Sequence, residues 1–244
     1  SGKQSAEVKS NRKKLTVFFS DIVGFTDISD ELESEEMTNL LNFYLNEMSQ
    51  IALRFGGTID KFIGDALMIF FGDPDTNGPQ EDARKCIQMA LEMQKLMNQL
   101  SGYWSKNYSL KQDLKIRIGI NTGFCTVGNF GSLDRLDYTA IGSTVNLASR
   151  LESIAEAGSI IISEDTFALV NNFFTFKKPK NVKIKGFLRD IKCYELKKED
   201  TSKEDMFSLS GKGFQIDINK KIIKKDALDE IKNKLSLIMD GDTG

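Results

Sequence analysis

Thr58-Ile59-Asp60-Lys61-Phe62-Ile63-Gly64-Asp65-Ala66-Leu67-Met68-Ile69-Phe70-Phe71 is the stretch that decides the fold. Its two halves are strand-length runs, and Ile63-Gly64-Asp65 between them reads as a tight hairpin turn. Asp65 therefore sits at the turn. Upstream, Leu15-Thr16-Val17-Phe18-Phe19-Ser20 is a further β-branched and aromatic run that ends at Asp21, with Gly24 beyond it. From Ser34 the apolar spacing becomes helical: Met37, Leu40, Leu41, Tyr44, Leu45, Met48, Ile51 and Ala52 share one face, and Gly56-Gly57 ends the helix.

Downstream of the hairpin, a Gly/Pro loop over Gly72–Pro79 leads to a second amphipathic helix, Glu81 to about Leu100, and then to a strand over Leu114–Asn121. A glycine-punctuated stretch, Thr122–Gly131, separates that strand from another at Leu136–Ile141. Gly142 then opens a helix over Thr144–Glu156. A strand at Ile160–Ile162, a helix near Glu164–Val170 and strands around Phe173–Phe176 and Ile191–Leu196 complete the pattern. Strands alternate with helices around one early hairpin. This is the order of an α+β fold, a ferredoxin-like split βαβ sheet with helices packed on one face. Residues 1–14 read as a polar lead-in opening on an artificial remnant, 15–197 as the main domain, and 198–244 as an accessory linker, hairpin (Phe207–Ile218) and helix (Asp226–Leu237). The tail lysines (Lys220, Lys221, Lys224, Lys225, Lys232 and Lys234) cluster, and the neighbouring acids favour a solvated helix face over a basic docking surface.

Composition narrows the chemistry. The 33 basic and 35 acidic residues nearly cancel, so no whole-chain field attracts nucleic acid or an anionic membrane. No apolar run is long enough to span a bilayer, so an anchor would have to lie outside this stretch. Three cysteines without C-x-x-C spacing suit a reducing, cytoplasmic compartment. There is no histidine, which removes imidazole acids, triads and metal ligands, and any catalytic metal has to be held by oxygen.

Adjacent strands of one sheet would bring Asp21 and Asp65 to the same edge. Two carboxylates without His or Cys suit Mg²⁺ or Mn²⁺, which complete their shells with phosphate oxygens, and two ions so held would match a phosphoryl-transfer site. Aspartates at strand ends and turns also serve simply as caps and turn formers, and the residues alone leave both readings open.

Phe19-Ser20-Asp21-Ile22-Val23-Gly24-Phe25-Thr26 and Lys61-Phe62-Ile63-Gly64-Asp65 resemble the signature of class III adenylyl and guanylyl cyclases. The likeness continues in family order through Arg117-Ile118-Gly119-Ile120-Asn121-Thr122-Gly123 and Gly142-Ser143-Thr144-Val145-Asn146-Leu147-Ala148-Ser149-Arg150, covering about Leu15 to Leu196. The resemblance implies that Asp21, Asp65 and the Ile22 backbone carbonyl bind two divalent ions, Mg²⁺ or Mn²⁺. Lys61 and Thr139 match the base-reading pair. Asn146 and Arg150, four apart on one helix, match the residues that orient the ribose and stabilise charge at the α-phosphate. Arg117 matches a contact to the outer phosphates and Lys185 a triphosphate lysine, although Lys183 stands close to it and Ile184 replaces the family's glycine.

A Lys and Thr pair is similar to that of bacterial adenylate cyclases, whereas guanylyl cyclases place Glu and typically Cys there. The matching is chemical. Adenine N1 accepts and its amino group donates, while guanine presents an N1 donor and an O6 acceptor. Outside that frame Lys61 reads as an exposed strand lysine. The implied activity is conversion of ATP to 3′,5′-cyclic AMP and pyrophosphate at the interface of a homodimer with two shared sites, an upstream regulatory domain being a further expected partner. Guanylate cyclase and a catalytically silent cyclase-like regulatory module are the competing readings. A diguanylate cyclase would need a G-G-[DE]-E-F turn where Phe62-Ile63-Gly64-Asp65-Ala66 stands.

Overall fold

The computed structural model describes residues 10–108, 110–132, 135–184, 186–187, 189–197, 206–211 and 214–219, with residues 231, 232 and 234. The rest of the expected C-terminal helix, the linker from residue 198, the first nine residues and Lys185 lie outside the described residues. The chain divides into two compact units, Ser1–Lys198 and Glu199–Gly244. In the first, β1 (Ser10–Ile22), α1 (Phe25–Glu31), α2 (Ser34–Arg54), β2 (Thr58–Ile63), β3 (Ala66–Phe71), α3 (Pro79–Gln99) and α4 (Tyr103–Tyr108) precede β4 (Ile116–Ser132) and β5 (Arg135–Ile141). They are followed by α5 (Ser143–Ser153), β6 (Ile160–Ser163), α6 (Glu164–Val170), β7 (Lys180–Val182) and β8 (Ile191–Glu195). In the second unit β9 (Met206–Gly211) and β10 (Phe214–Asn219) form an antiparallel hairpin.

The sheet runs β2-β3-β1-β4-β6-β8-β7, with β5 also paired to β4. Strands β1 through β4 are antiparallel in the order β2-β3-β1-β4, which is the split βαβ arrangement expected, and the parallel β4–β6 pair makes the whole sheet mixed. Alternation along β1 sorts the core. Phe18 and Ile22 face the layer covered by α2, α3 and α6, whereas Leu15, Val17 and Phe19 face the opposite side. Each large side chain buried this way contributes about 2 kcal/mol.

Helices were expected on one face, and α5 lies on the other, where Ala148 meets Leu15, Val17 and Met68, and Leu151 meets Ile161 and Cys193. Gly119 permits the approach: a Cβ there would stand 2.1 Å from the Glu152 nitrogen and 2.4 Å from the Ala148 oxygen. The glycine-punctuated stretch after Asn121 is not a break. β4 continues through it to Ser132, because its far half pairs with β5 from Thr126↔Ile141 to Ser132↔Arg135. The run around Phe173–Phe176 makes only an isolated bridge, Phe176↔Leu196.

Candidate active site

β1 and β3 deliver the two aspartates as the sequence suggested. Asp21, next to last in β1, stands opposite Arg117 of β4, and Asp65 lies in the two-residue turn between the paired residues Ile63 and Ala66. The turn needs a residue tolerant of positive φ, and Gly64 sits at φ 63° with open space around it, so its role is conformational. The Ile22 N–H donates to Asp65 Oδ2 at 3.0 Å, joining the β1 exit to the hairpin tip.

Burial, followed by the hydrogen bond and negative charge of Asp21, pushes the Asp65 carboxyl from its ordinary 3.8 up to about 7, against the opposing pull of the Ile22 N–H. Among the described residues no cation forms an ion pair with Asp65, whereas Asp21 is paired with Arg117. The carboxylate pair fits hard divalent ions, which take one or two protein carboxylates and draw remaining ligands from phosphate and water. Among the described residues no group of three or more His, Cys, Asp or Glu offers a closed protein cage.

The raised acid has a thermodynamic consequence. Because the folded state binds this proton more tightly than the unfolded chain, stability is greatest when Asp65 is protonated and declines as pH rises from 3.8 towards about 7. Without metal, the melting temperature is expected to fall between pH 5 and pH 8, and Mn²⁺ is expected to restore it at pH 8. Asp65→Asn should flatten both responses in a thermal scan; an unchanged slope in that variant would place the repulsion elsewhere.

Arg117 was expected at the outer phosphates, and the structure engages it internally. Its Nη2 donates to Asp21 Oδ2 at 2.8 Å and its Nη1 to the Ser153 carbonyl at 3.2 Å. Its Nε stands 2.7 Å from Glu152 Oε1, an ion pair whose angle departs from hydrogen-bond geometry. Burial pushes Glu152 above the usual carboxylate range despite the guanidinium beside it. Glu152 had no distinguishing signal in the sequence, since acids are common at the end of exposed helices.

A second cluster forms between β2 and β5. Lys61 Nζ lies 3.2 Å from Asp60 Oδ1, and the Thr139 hydroxyl donates to Asp60 Oδ2 at 2.6 Å. Lys61 and Thr139, expected as a base-reading pair, are thus brought together through Asp60, which sequence reasoning missed. The signal was present. Asp60 and Lys61 are consecutive charged residues that break the two-residue alternation of a strand, and the ladder has a register shift there between Ile59 and Lys61. Next to Thr139, Tyr138 donates its hydroxyl to Asp73, which Lys13 of β1 also contacts, tying β5 to the body of the sheet.

Asn146 and Arg150 are exposed one turn apart on α5. Among the described residues no hydrogen bond or ion pair links the Asp21–Asp65 cluster to the Asp60–Lys61–Thr139 cluster, so the chain carries two separate polar clusters. Phe62 and Ile63 on β2, Phe124 on β4, and Tyr138 and Ile141 on β5 remain about half exposed.

The family model described as the adenylate and guanylate cyclase catalytic domain matches residues 7–198. An adenylate cyclase of Anabaena cylindrica is 33% identical over 193 residues, 77% of this chain and 38% of that protein. The chain therefore spans little more than a third of that relative. The crystal structure of the adenylyl cyclase CyaB from P. aeruginosa is 53% identical with a TM-score of 0.75, covering 78% of this chain and 96% of that one. The guanylyl cyclase Cya2 is 34% identical with a TM-score of 0.72, covering 77% and 93%. Since both purine specificities occur on this fold, the fold does not choose between them. With the match spanning residues 7–198 and the sheet order and carboxylate pair in place, the chain belongs to the adenylate and guanylate cyclase catalytic domain family.

Proposed function

We propose that this chain is an adenylate cyclase domain that converts ATP to 3′,5′-cyclic AMP and pyrophosphate as a homodimer. The observation that carries the reading is the pairing of Asp21 with Asp65 at one sheet edge, beside the Ile22 backbone. These residues would hold two Mg²⁺ or Mn²⁺ ions, which when bound activate the ribose 3′-hydroxyl and neutralise the triphosphate. Ile22 N–H orients Asp65, and Arg117 orients Asp21 while Glu152 and the Ser153 carbonyl hold the guanidinium. Arg117, and Lys185 as the resemblance suggests, would reach the outer phosphates once the aspartates are otherwise compensated.

Lys61 donates to adenine N1 and Thr139 accepts from its amino group, a pairing that leaves guanine's N1–H without an acceptor. Asn146 orients the ribose, and the planar guanidinium of Arg150 meets charge developing at the α-phosphate. Two separated half-sites in one chain, together with exposed apolar side chains on β2, β4 and β5, support a head-to-tail pair in which each chain completes the other's site. The three cysteines are free and buried, which supports function in a reducing cytoplasm. No helix among the described residues is long and apolar enough to cross a membrane. A regulatory domain preceding this one is part of the same proposal.

The purified chain is expected to make cyclic AMP from ATP in Mg²⁺ or Mn²⁺, and cyclic GMP from GTP at least about tenfold more slowly. Preference for GTP would replace the reading with guanylate cyclase; no product from either, in either metal at high protein concentration, would replace it with a silent regulatory module.

A further inference from the structure

We infer that Asp60 sets the purine preference, by fixing the Thr139 hydroxyl as a hydrogen-bond acceptor towards the base and by holding the Lys61 ammonium beside it. The inference rests on the adenylate cyclase reading and goes beyond it, because a Thr at this position does not by itself select adenine. A threonine hydroxyl both donates and accepts, and rotates to suit its partner. Facing guanine O6 it would donate as readily as it would accept from the adenine amino group.

Asp60 removes that ambivalence. Its side chain is fully buried, at 0% exposure. The ladder register passes from Ile59↔Ile69 directly to Lys61↔Met68, so Asp60 is the unpaired extra residue of a β-bulge, a feature that re-aims a side chain out of the regular alternation. The bulge turns the carboxylate towards β5. There the Thr139 Oγ1 lies 2.6 Å from Oδ2 and 2.9 Å from Oδ1, and the Ala140 N–H donates to Oδ2 at 3.0 Å.

An ionised carboxylate only accepts, so the hydroxyl proton of the buried Thr139 is committed to Asp60. What Thr139 then offers outward is lone-pair density. This complements an exocyclic amino group and repels a carbonyl oxygen. Lys61 Nζ forms an ion pair with the same carboxylate, 3.2 Å from Asp60 Oδ1, and its N–H groups can serve a ring nitrogen acceptor. One buried charge therefore imposes acceptor character on Thr139 and holds beside it the Lys61 ammonium, which can only donate; together they present the adenine pattern.

A purely structural role, tying β2 to β5, makes a different forecast, and the experiment separates the two. The wild-type chain and Asp60→Asn are compared for kcat/KM with ATP and GTP, and for affinity towards fluorescent ATP and GTP analogues in Ca²⁺, with melting temperature measured alongside. An asparagine amide can donate to Thr139, so the hydroxyl is freed to point its proton at the base. The expected result is a fall in the ATP-to-GTP ratio of about tenfold or more, in turnover and in analogue binding alike. In a Thr139→Val background, where the Lys61 contact alone is left for Asp60 to act through, the same substitution should change the ratio less than it does in the wild-type background. Equal losses with both nucleotides would overturn the inference and leave Asp60 a strand tie. Should Asp60→Asn fail to fold, Asp60→Ser, which removes the charge with less bulk, carries the same expectation. A wild-type chain that prefers GTP in both readouts sinks the adenylate cyclase reading and this inference together. A wild type that prefers ATP, with an Asp60 variant of unchanged ratio, sinks only the role of Asp60.

Discussion

Asp65→Ala and Arg150→Ala chains, each expected to lose at least about a hundredfold in activity alone, should regain about a quarter of wild-type output when mixed one to one. The expectation follows from the half-sites. Asp65 belongs to the carboxylate cluster at the hairpin tip, and Arg150 is exposed on α5. In a head-to-tail pair, each site would take its aspartates from one chain and its Arg150 from the other. Random exchange makes half of all dimers mixed. Each mixed dimer concentrates both lesions in one site and leaves the other intact, which yields a quarter of the sites. Recovery would be read as cyclic AMP formed after mixing, against Asp65→Ala mixed with Asp21→Ala, which share a half-site and should not complement. If the Asp65 and Arg150 variants also failed to complement, the site would have to be built within one chain.

Gly119→Ala is the single methyl group with the largest expected cost to the fold. Its Cβ would meet two backbone atoms of α5 at 2.1 and 2.4 Å, and backbone cannot swing aside as the end of a side chain can. The helix would have to lift off β4, with an overpacking cost of about 3 kcal/mol. Asn146 and Arg150 ride on that helix, so a displacement of even an ångström should lower turnover by about a hundredfold. Gly24→Ala is the contrasting case. No atom lies within 4 Å of its added Cβ, and the cost is confined to the left-handed backbone at φ 72°, about 1 kcal/mol. Urea unfolding of the two variants tests the difference, and equal midpoints would mean that α5 yields without cost.

Much of this arrangement was legible in advance, for physical reasons that differ by element. The hairpin of β2 and β3 announces itself because Gly64 lies between two apolar runs, and α2 because its apolar residues recur at helical spacing. The Asp21 and Asp65 pairing follows once both strand ends are placed on one sheet. What escaped depends on contacts distant in sequence. The glycines from Gly123 to Gly131 look like a break until β5 supplies partners across the ladder. Glu152 gains meaning only when α5 is pressed on β4 through Gly119. Asp60 stood beside a residue already singled out, yet its partner is Thr139, on a strand formed much later in the chain.

The two-residue turn at Gly64-Asp65 restricts how this region can change over evolutionary time. Successive strand residues face opposite sides of a sheet, so one inserted residue between Lys61 and Asp65 would reverse what each presents. Beyond the buried Asp73 the connection is exposed over residues 74–77 and carries no such register, so an insertion there leaves the sheet untouched. Length drift is therefore barred at the hairpin and open a few residues later. If Asp60, Lys61 and Thr139 read the base as proposed, new base preferences in descendants of this sequence would arise by exchanging those side chains on an unaltered backbone.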